Sequence, residues 1–167
     1  MMKVKQHPSQ ERLKELYHYC PETGIFTALT DRRRWKAGRI VGTLAKGYVQ
    51  INTDYGIYRA HRLAWIYMTG IHPEEHIDHI DRNPSNNSWS NLRLATDAQN
   101  LLNRKANPSS RSGIKGVRRS RHKKPSYIAQ IKKDGKSHYL GTFKTIDEAK
   151  AAYEAAGRVL HGEFFCC

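Results

Sequence analysis

Asp78 and His79 stand side by side, and the stretch after them is dense in asparagine and serine: residues 76–100 read HIDHIDRNPSNNSWSNLRLATDAQN. An imidazole near its ordinary pKa can take a proton from water at neutral pH. A carboxylate and amide carbonyls are hard oxygen donors that can hold a divalent cation without filling its shell. Together these groups suit phosphodiester hydrolysis. The base deprotonates the water, while a cation neutralises charge on the phosphate and stabilises the leaving oxygen. An isolated Asp-His pair among asparagines could instead be an ordinary capped turn, because Asp and Asn favour turns. The whole pattern is more specific than that pair. Asp81 and Asn83 are expected to shape the turn rather than bind metal. His76 reads as solvent-facing or supporting, and His61 as a helix-start residue or a phosphate contact.

Local pattern suggests how these residues are positioned. Asp78-His79 ends one short strand, and Leu92, Leu94 and Ala95 form another. Thr96-Asp97-Ala98-Gln99 can open a helix running through Asn103. If the strands pair as a hairpin, the acid–imidazole pair and the helix start come close together.

Upstream, Ser9 can cap a helix whose apolar face is Leu13, Leu16, Tyr17 and Cys20. A turn at residues 21–24 precedes a strand over residues 25–29. Residues 39–60 alternate in short bursts with turns at Lys46-Gly47 and residues 54–56, which predicts a small antiparallel meander. Residues 61–69 read as a short buried helix.

Charge sets the partner class. Lys and Arg number 29 against 15 acids, a net +14 in 167 residues. Basic charge of this size points to a polyanion, nucleic acid before an anionic membrane. No apolar run reaches the roughly 18 residues a membrane helix needs. The N-terminus lacks the apolar core of a secretion signal. Cys20, Cys166 and Cys167 offer no CxxC pair, so no zinc site is expected. Reduced, incidental cysteines point to the cytoplasm.

Residues 105–112 (KANPSSRS) read as a linker. Beyond it, residues 116–118, 127–131 and 138–141 predict three strands, with an Asp134-Gly135 hairpin turn. Thr145 and Glu148 form a capping box for a helix reaching about Leu160. Basic residues crowd the strands, and a sheet backed by a helix can present them on its open face.

His76-Ile77-Asp78-His79-Ile80-Asp81, Asn86-Asn87, Asn91-Leu92-Arg93 and Asn100 resemble the HNH nuclease family, especially its phage and intron-associated homing branch. The match extends from about Tyr58 through Arg104 and includes His61-Arg62-Leu63-Ala64-Trp65. The resemblance implies a ββα-metal core. It implies Asp78 and Asn100 as ligands of one divalent ion, Mg²⁺ with Mn²⁺ as the alternative, and His79 as general base. Asn91 would orient the loop and the base. The third position is often His in the wider family, and Asn is common in this branch.

Gly113 to Arg118, and Tyr139-Leu140-Gly141-Thr142-Phe143 running to Ala152-Tyr153, resemble the Apetala-two/ethylene-response-factor DNA-binding domain. That resemblance implies DNA contacts by Arg118, Arg119, Arg121, Lys132 and Tyr139. For Arg32, Arg33 and Arg34 beside Trp35 two readings stand: phosphate or minor-groove contacts, or a plain surface loop.

The expected architecture is α+β, in four segments. Residues 1–57 are an N-terminal helix and meander, 58–104 a nuclease core, 105–112 a linker and 113–167 a DNA reader. The expected function is site-specific cleavage of double-stranded DNA by a monomer that nicks. The alternatives are a DNA-binding regulator that does not cut and an RNA-binding or assembly factor.

Overall fold

The computed structural model describes residues 7–32, 35–104, 106–107, 110–121 and 126–165. The chain divides into two compact units, Met1–Asp97 and Ala98–Cys167.

The first unit begins with α1 (Gln10–Leu16), where Ser9 Oγ accepts the backbone N–H of Arg12 at 3.2 Å. This satisfies one of the helix's orphan donors. The helix stops short of Cys20, the end of the expected apolar face. Tyr17–Cys20 is instead β1, with Tyr17 and Tyr19 buried and His18 exposed. Both periods fit this stretch; antiparallel pairing with Ile25–Ala28 decides for the strand, which the alternating tyrosines suit. β1 pairs antiparallel with β2 (Ile25–Ala28), and β2 with β3 (Ile40–Val41).

The expected single strand over residues 39–44 is split at Gly42. Its φ of 125° is a conformation side chains rarely adopt, and a Cβ there would lie 2.7 Å from Val49. The break sends β3 to one sheet and β4 (Thr43–Ala45) to another. β4, β5 (Tyr48–Thr53) and β6 (Gly56–Arg59) make the expected meander. α2 (Ala60–Thr69) follows at once and ends at Gly70.

β7 (His76–His79) and β8 (Leu92–Ala95) form the expected antiparallel hairpin, with His76 opposite Ala95 and His79 opposite Leu92. One core joins Leu13, Tyr17, Tyr19 and Phe26 of the N-terminal segment to Leu63, Ile66, Ile77 and Leu92. Each large apolar side chain fully buried there contributes roughly 1.5–3 kcal/mol. The segments 1–57 and 58–97 therefore share their stabilisation.

The second unit contains most of α3 (Asp97–Asn103), then β9 (Val117–Arg119), β10 (Tyr127–Lys133), β11 (Lys136–Phe143) and α4 (Ile146–His161). The sheet order is β11-β10-β9. Asp134 and Gly135, at φ 49° and 78°, make the expected tight turn. The Thr145–Glu148 capping box is formed. Val117, Ala129 and Ile131 pack against Ala149 and Tyr153 of α4.

Candidate active site

Asp78 and His79 close β7, and both are buried, retaining 5% and 6% of their surface. Side chains alternate along a strand, so the two point to opposite faces of the hairpin. Asp78 lies opposite Arg93 in the register, and Oδ2 accepts from Arg93 Nε at 3.0 Å and Nη2 at 2.9 Å. A buried carboxylate is costly unless paired, and this fork supplies the partner. Sequence pattern by itself assigns Arg93 no role. Its place beside Leu92 in the asparagine motif is the available signal.

The imidazole of His79 sits in an aromatic and amide surround. Its Nε2 is 3.3 Å from Oδ1 of Asn87. The Asn87 amide nitrogen donates to the Ser85 carbonyl at 3.1 Å, which fixes the amide with Oδ1 towards the imidazole. A carbonyl oxygen only accepts, so Nε2 carries the proton and Nδ1 is the basic nitrogen of neutral His79. Burial holds the His79 pKa below the ordinary histidine value. The Asn87 bond and the charges of Asp81 and Asp78 oppose that shift in part. A neutral imidazole at neutral pH is the form a general base requires.

Two further rings complete the surround. His61, the second residue of α2, is 4% exposed and meets His79 edge to face, with centroids 5.0 Å apart. Its Nδ1 is buried without a hydrogen-bond partner. Burial and the neighbouring His79, Arg59 and Arg62 push its pKa down to about 3. His61 is thus a neutral structural residue; its phosphate-contact reading fails because the ring is covered. Tyr48 lies tilted against both imidazoles, its ring centroid 5.6 Å from that of His61 and 6.2 Å from that of His79, with Arg59 over its ring.

The loop between β7 and β8 is held by its own asparagines. Asn91 Oδ1 accepts from Asp81 N–H at 2.9 Å, and its amide nitrogen donates to Asp81 Oδ1 and the Asn86 carbonyl. Asn91 thus ties the loop, while the amide at the imidazole is that of Asn87. Asp81 accepts from the Asn83 N–H and the Asn86 amide. Burial alone would raise its pKa, but these bonds hold it below the usual value. Asp81 shapes the turn, as expected. His76 lies at the surface, 2.6 Å from Asp97.

The HNH endonuclease family model matches residues 58–102. An uncharacterized HNH endonuclease of Acanthamoeba polyphaga mimivirus is 33% identical over 138 residues, covering 81% of this chain and 67% of that protein. This chain belongs to the HNH endonuclease family. Protein 3.8 of Escherichia phage T7 is 33% identical over 122 residues, 72% of this endonuclease and 97% of the phage protein. Among solved structures, the HNH homing endonuclease I-HmuI, described in DNA binding and cleavage, aligns with a TM-score of 0.43 and 24% identity. That alignment covers 74% of this chain and 71% of that one.

Other expected site residues of this HNH endonuclease fall as follows. Asn100 lies half-buried on α3, in the second unit. Arg32 is ion-paired with Asp54, which Arg12 also holds at 2.9 Å. Arg33 and Arg34 lie outside the described residues. Within the second unit, Arg118 pairs in register with Ile128, and Tyr139 with Gln130. Lys132 follows two residues after Gln130, so Arg118, Lys132 and Tyr139 share the open face of the sheet. Arg119, opposite Tyr127, belongs to the face that packs on α4, although it is exposed. The register therefore separates it from the other three. Arg121 lies just past β9 and is exposed. No helix among the described residues is long and apolar enough to cross a membrane.

Proposed function

We propose that this HNH endonuclease hydrolyses double-stranded DNA at a defined site, in the manner of a free-standing homing enzyme, with His79 as general base. His79, neutral and buried beside Asp78 with Asn87 on its proton-bearing nitrogen, carries this assignment. Nδ1 of His79 takes the proton of a water whose oxygen attacks phosphorus. Family resemblance gives 5′-phosphate and 3′-hydroxyl ends. Asn91 keeps the loop closed so that the imidazole does not swing.

Asp78 and Asn100 are the proposed ligands of one divalent ion, Mg²⁺ or Mn²⁺. Among the described residues no group of three or more His, Cys, Asp or Glu is placed to hold a metal ion, so the proposed ligands are a carboxylate and an amide. A carboxylate and an amide oxygen are hard-oxygen donors of the kind Mg²⁺ takes alongside water, which is what supports the two as ligands. When bound, such an ion would neutralise charge on the phosphate and stabilise the leaving oxygen.

Residues 113–167 are proposed to read DNA as an Apetala-two-like module, with Arg118, Lys132 and Tyr139 on its open sheet face. Residues 58–104 supply the chemistry. With one active site per chain, a monomer nicks one strand per visit, in the host cytoplasm. The test is cleavage of duplex DNA by the purified chain with Mg²⁺ or Mn²⁺, against EDTA and against His79→Ala. Cutting by His79→Ala at the wild-type rate removes the base assignment. Preference for RNA over duplex DNA removes the reader assignment.

A further inference from the structure

The β1–β2 hairpin lies outside the segment that matches the family model, yet it reaches the catalytic loop. The Tyr19 hydroxyl donates to the Asn87 carbonyl at 2.7 Å. Tyr19 is 2% exposed, and burial pushes its pKa up, so the hydroxyl keeps its proton and remains a donor. At the hairpin tip, Gly24 has φ 71°, and a Cβ on it would stand 2.2 Å from the Asn87 carbonyl carbon and 2.4 Å from the Ser88 nitrogen. Just before the tip, the Pro21 carbonyl accepts the Trp89 N–H at 2.7 Å. Backbone of the hairpin and backbone of residues 87–89 are therefore in direct apposition. Asn87 itself is 2% exposed.

We infer that Tyr19 and Gly24 are positioning residues for catalysis: they seat the backbone of Asn87 so that its side chain holds His79. The inference rests on the proposed role of His79 as base. The chain of contacts is short. Tyr19 fixes the Asn87 carbonyl, Gly24 sets how close the loop can approach, and the Asn87 amide meets Nε2 of His79. A shift of about 1 Å in a base can cost roughly 100-fold in rate, so a buried hydrogen bond one residue removed has leverage on turnover. The active site of this protein is accordingly completed by sequence far upstream of it, and residues 58–104 alone lack one wall of the loop.

The test uses the full chain and single-turnover cleavage of duplex DNA by wild type, Tyr19→Phe, Tyr17→Phe, His79→Ala and Tyr19→Phe/His79→Ala. Tyr17 is the internal control. It is on the same strand and fully buried, and its hydroxyl donates to the Asn52 carbonyl at 3.1 Å, away from the loop. Tyr19→Phe is expected to slow the chemical step about tenfold with KM unchanged. Tyr17→Phe should leave that step at the wild-type rate, with a melting temperature as low as that of Tyr19→Phe or lower. On the His79→Ala background, Tyr19→Phe should be silent. Equal rates for Tyr19→Phe and Tyr17→Phe overturn the inference while leaving the base assignment intact. A wild-type rate for His79→Ala overturns the base assignment first and this inference with it. Gly24→Ala is expected to be more damaging than Tyr19→Phe, because it strains φ and displaces the loop backbone.

Discussion

The imidazole of His61 stands edge-on to that of His79, ring planes at 87° and centroids 5.0 Å apart. Both rings are buried, and both are held neutral below their ordinary titration range. Two charged imidazoles could not occupy this space. The arrangement therefore links acid to unfolding. In the unfolded chain His61 binds a proton as pH falls through about 6.5. In the folded chain it does so only near pH 3. Across that interval the unfolded state holds more protons, so stability falls with pH, by up to about 1.4 kcal/mol per pH unit from this residue. Urea midpoints at pH 7.5, 6 and 5 should decline for wild type and decline less for His61→Phe. Parallel slopes would show that His61 is not the group responsible.

Removal of the Arg93 side chain takes the guanidinium fork away from the buried Asp78 carboxylate. Arg93→Met is expected to destabilise the fold by about 3–5 kcal/mol. Asp78→Asn in the same chain should return most of that loss, because the charge that needed compensation is gone. Chemical denaturation of Arg93→Met, of Asp78→Asn alone and of the double variant measures the coupling. Additive losses would refute it.

Asn91→Ala should act on stability and turnover together. It removes three part-buried hydrogen bonds, from Asp81 N–H and to Asp81 Oδ1 and the Asn86 carbonyl, each contributing about 0.5–1.5 kcal/mol. His79→Gln, by contrast, should slow cleavage by about 100-fold or more while filling most of the same buried space, with a smaller drop in melting temperature. Thermal melts beside cleavage rates separate the two. A stable but inactive Asn91→Ala chain would place that residue in the chemistry itself.

Chelation provides the check on the proposed ion. EDTA should stop cleavage, and Mg²⁺ or Mn²⁺ should restore it. Asp78→Ala and Asn100→Ala should lose the response to the ion while still shifting DNA in a gel. Full metal-dependent activity in Asn100→Ala would remove that residue from the ligand set.

The sheet register of the second unit separates its arginines. Arg118→Ala and Lys132→Ala should weaken DNA binding. Each substitution that frees one phosphate should flatten the log–log salt dependence by roughly 0.9. Arg119→Ala, on the helix-packed face, should change the slope less. Titrations at several salt concentrations, read by fluorescence anisotropy, make the comparison. An Arg119→Ala effect equal to that of Arg118→Ala would contradict the proposed reading face.

Much of this molecule follows from local pattern. The Asp78-His79 pair, the asparagine-rich loop, the β7–β8 hairpin and the capped helices at Ser9 and Thr145 are all legible in the chain. They depend on interactions between residues close in sequence, so spacing and side-chain type specify them. The ambiguous cases are local too. Tyr17–Cys20 satisfies helical and strand periods at once, and the pairing with Ile25–Ala28 decides between them. Gly42 reads as one glycine in a strand until two separate sheets claim its neighbours.

What spacing could not supply is the identity of the neighbours of each functional group. Arg93 facing Asp78 depends on strand register. His61 against His79 depends on how α2 packs. Tyr19 and Gly24 reach Asn87 only because the first hairpin folds back onto a loop far along the chain. Sequence determined which groups could do the chemistry, because reactivity belongs to residue type and short-range order. Tertiary structure alone decided which nitrogen of His79 is basic and what holds it, because burial and long-range contact are properties of the packed chain.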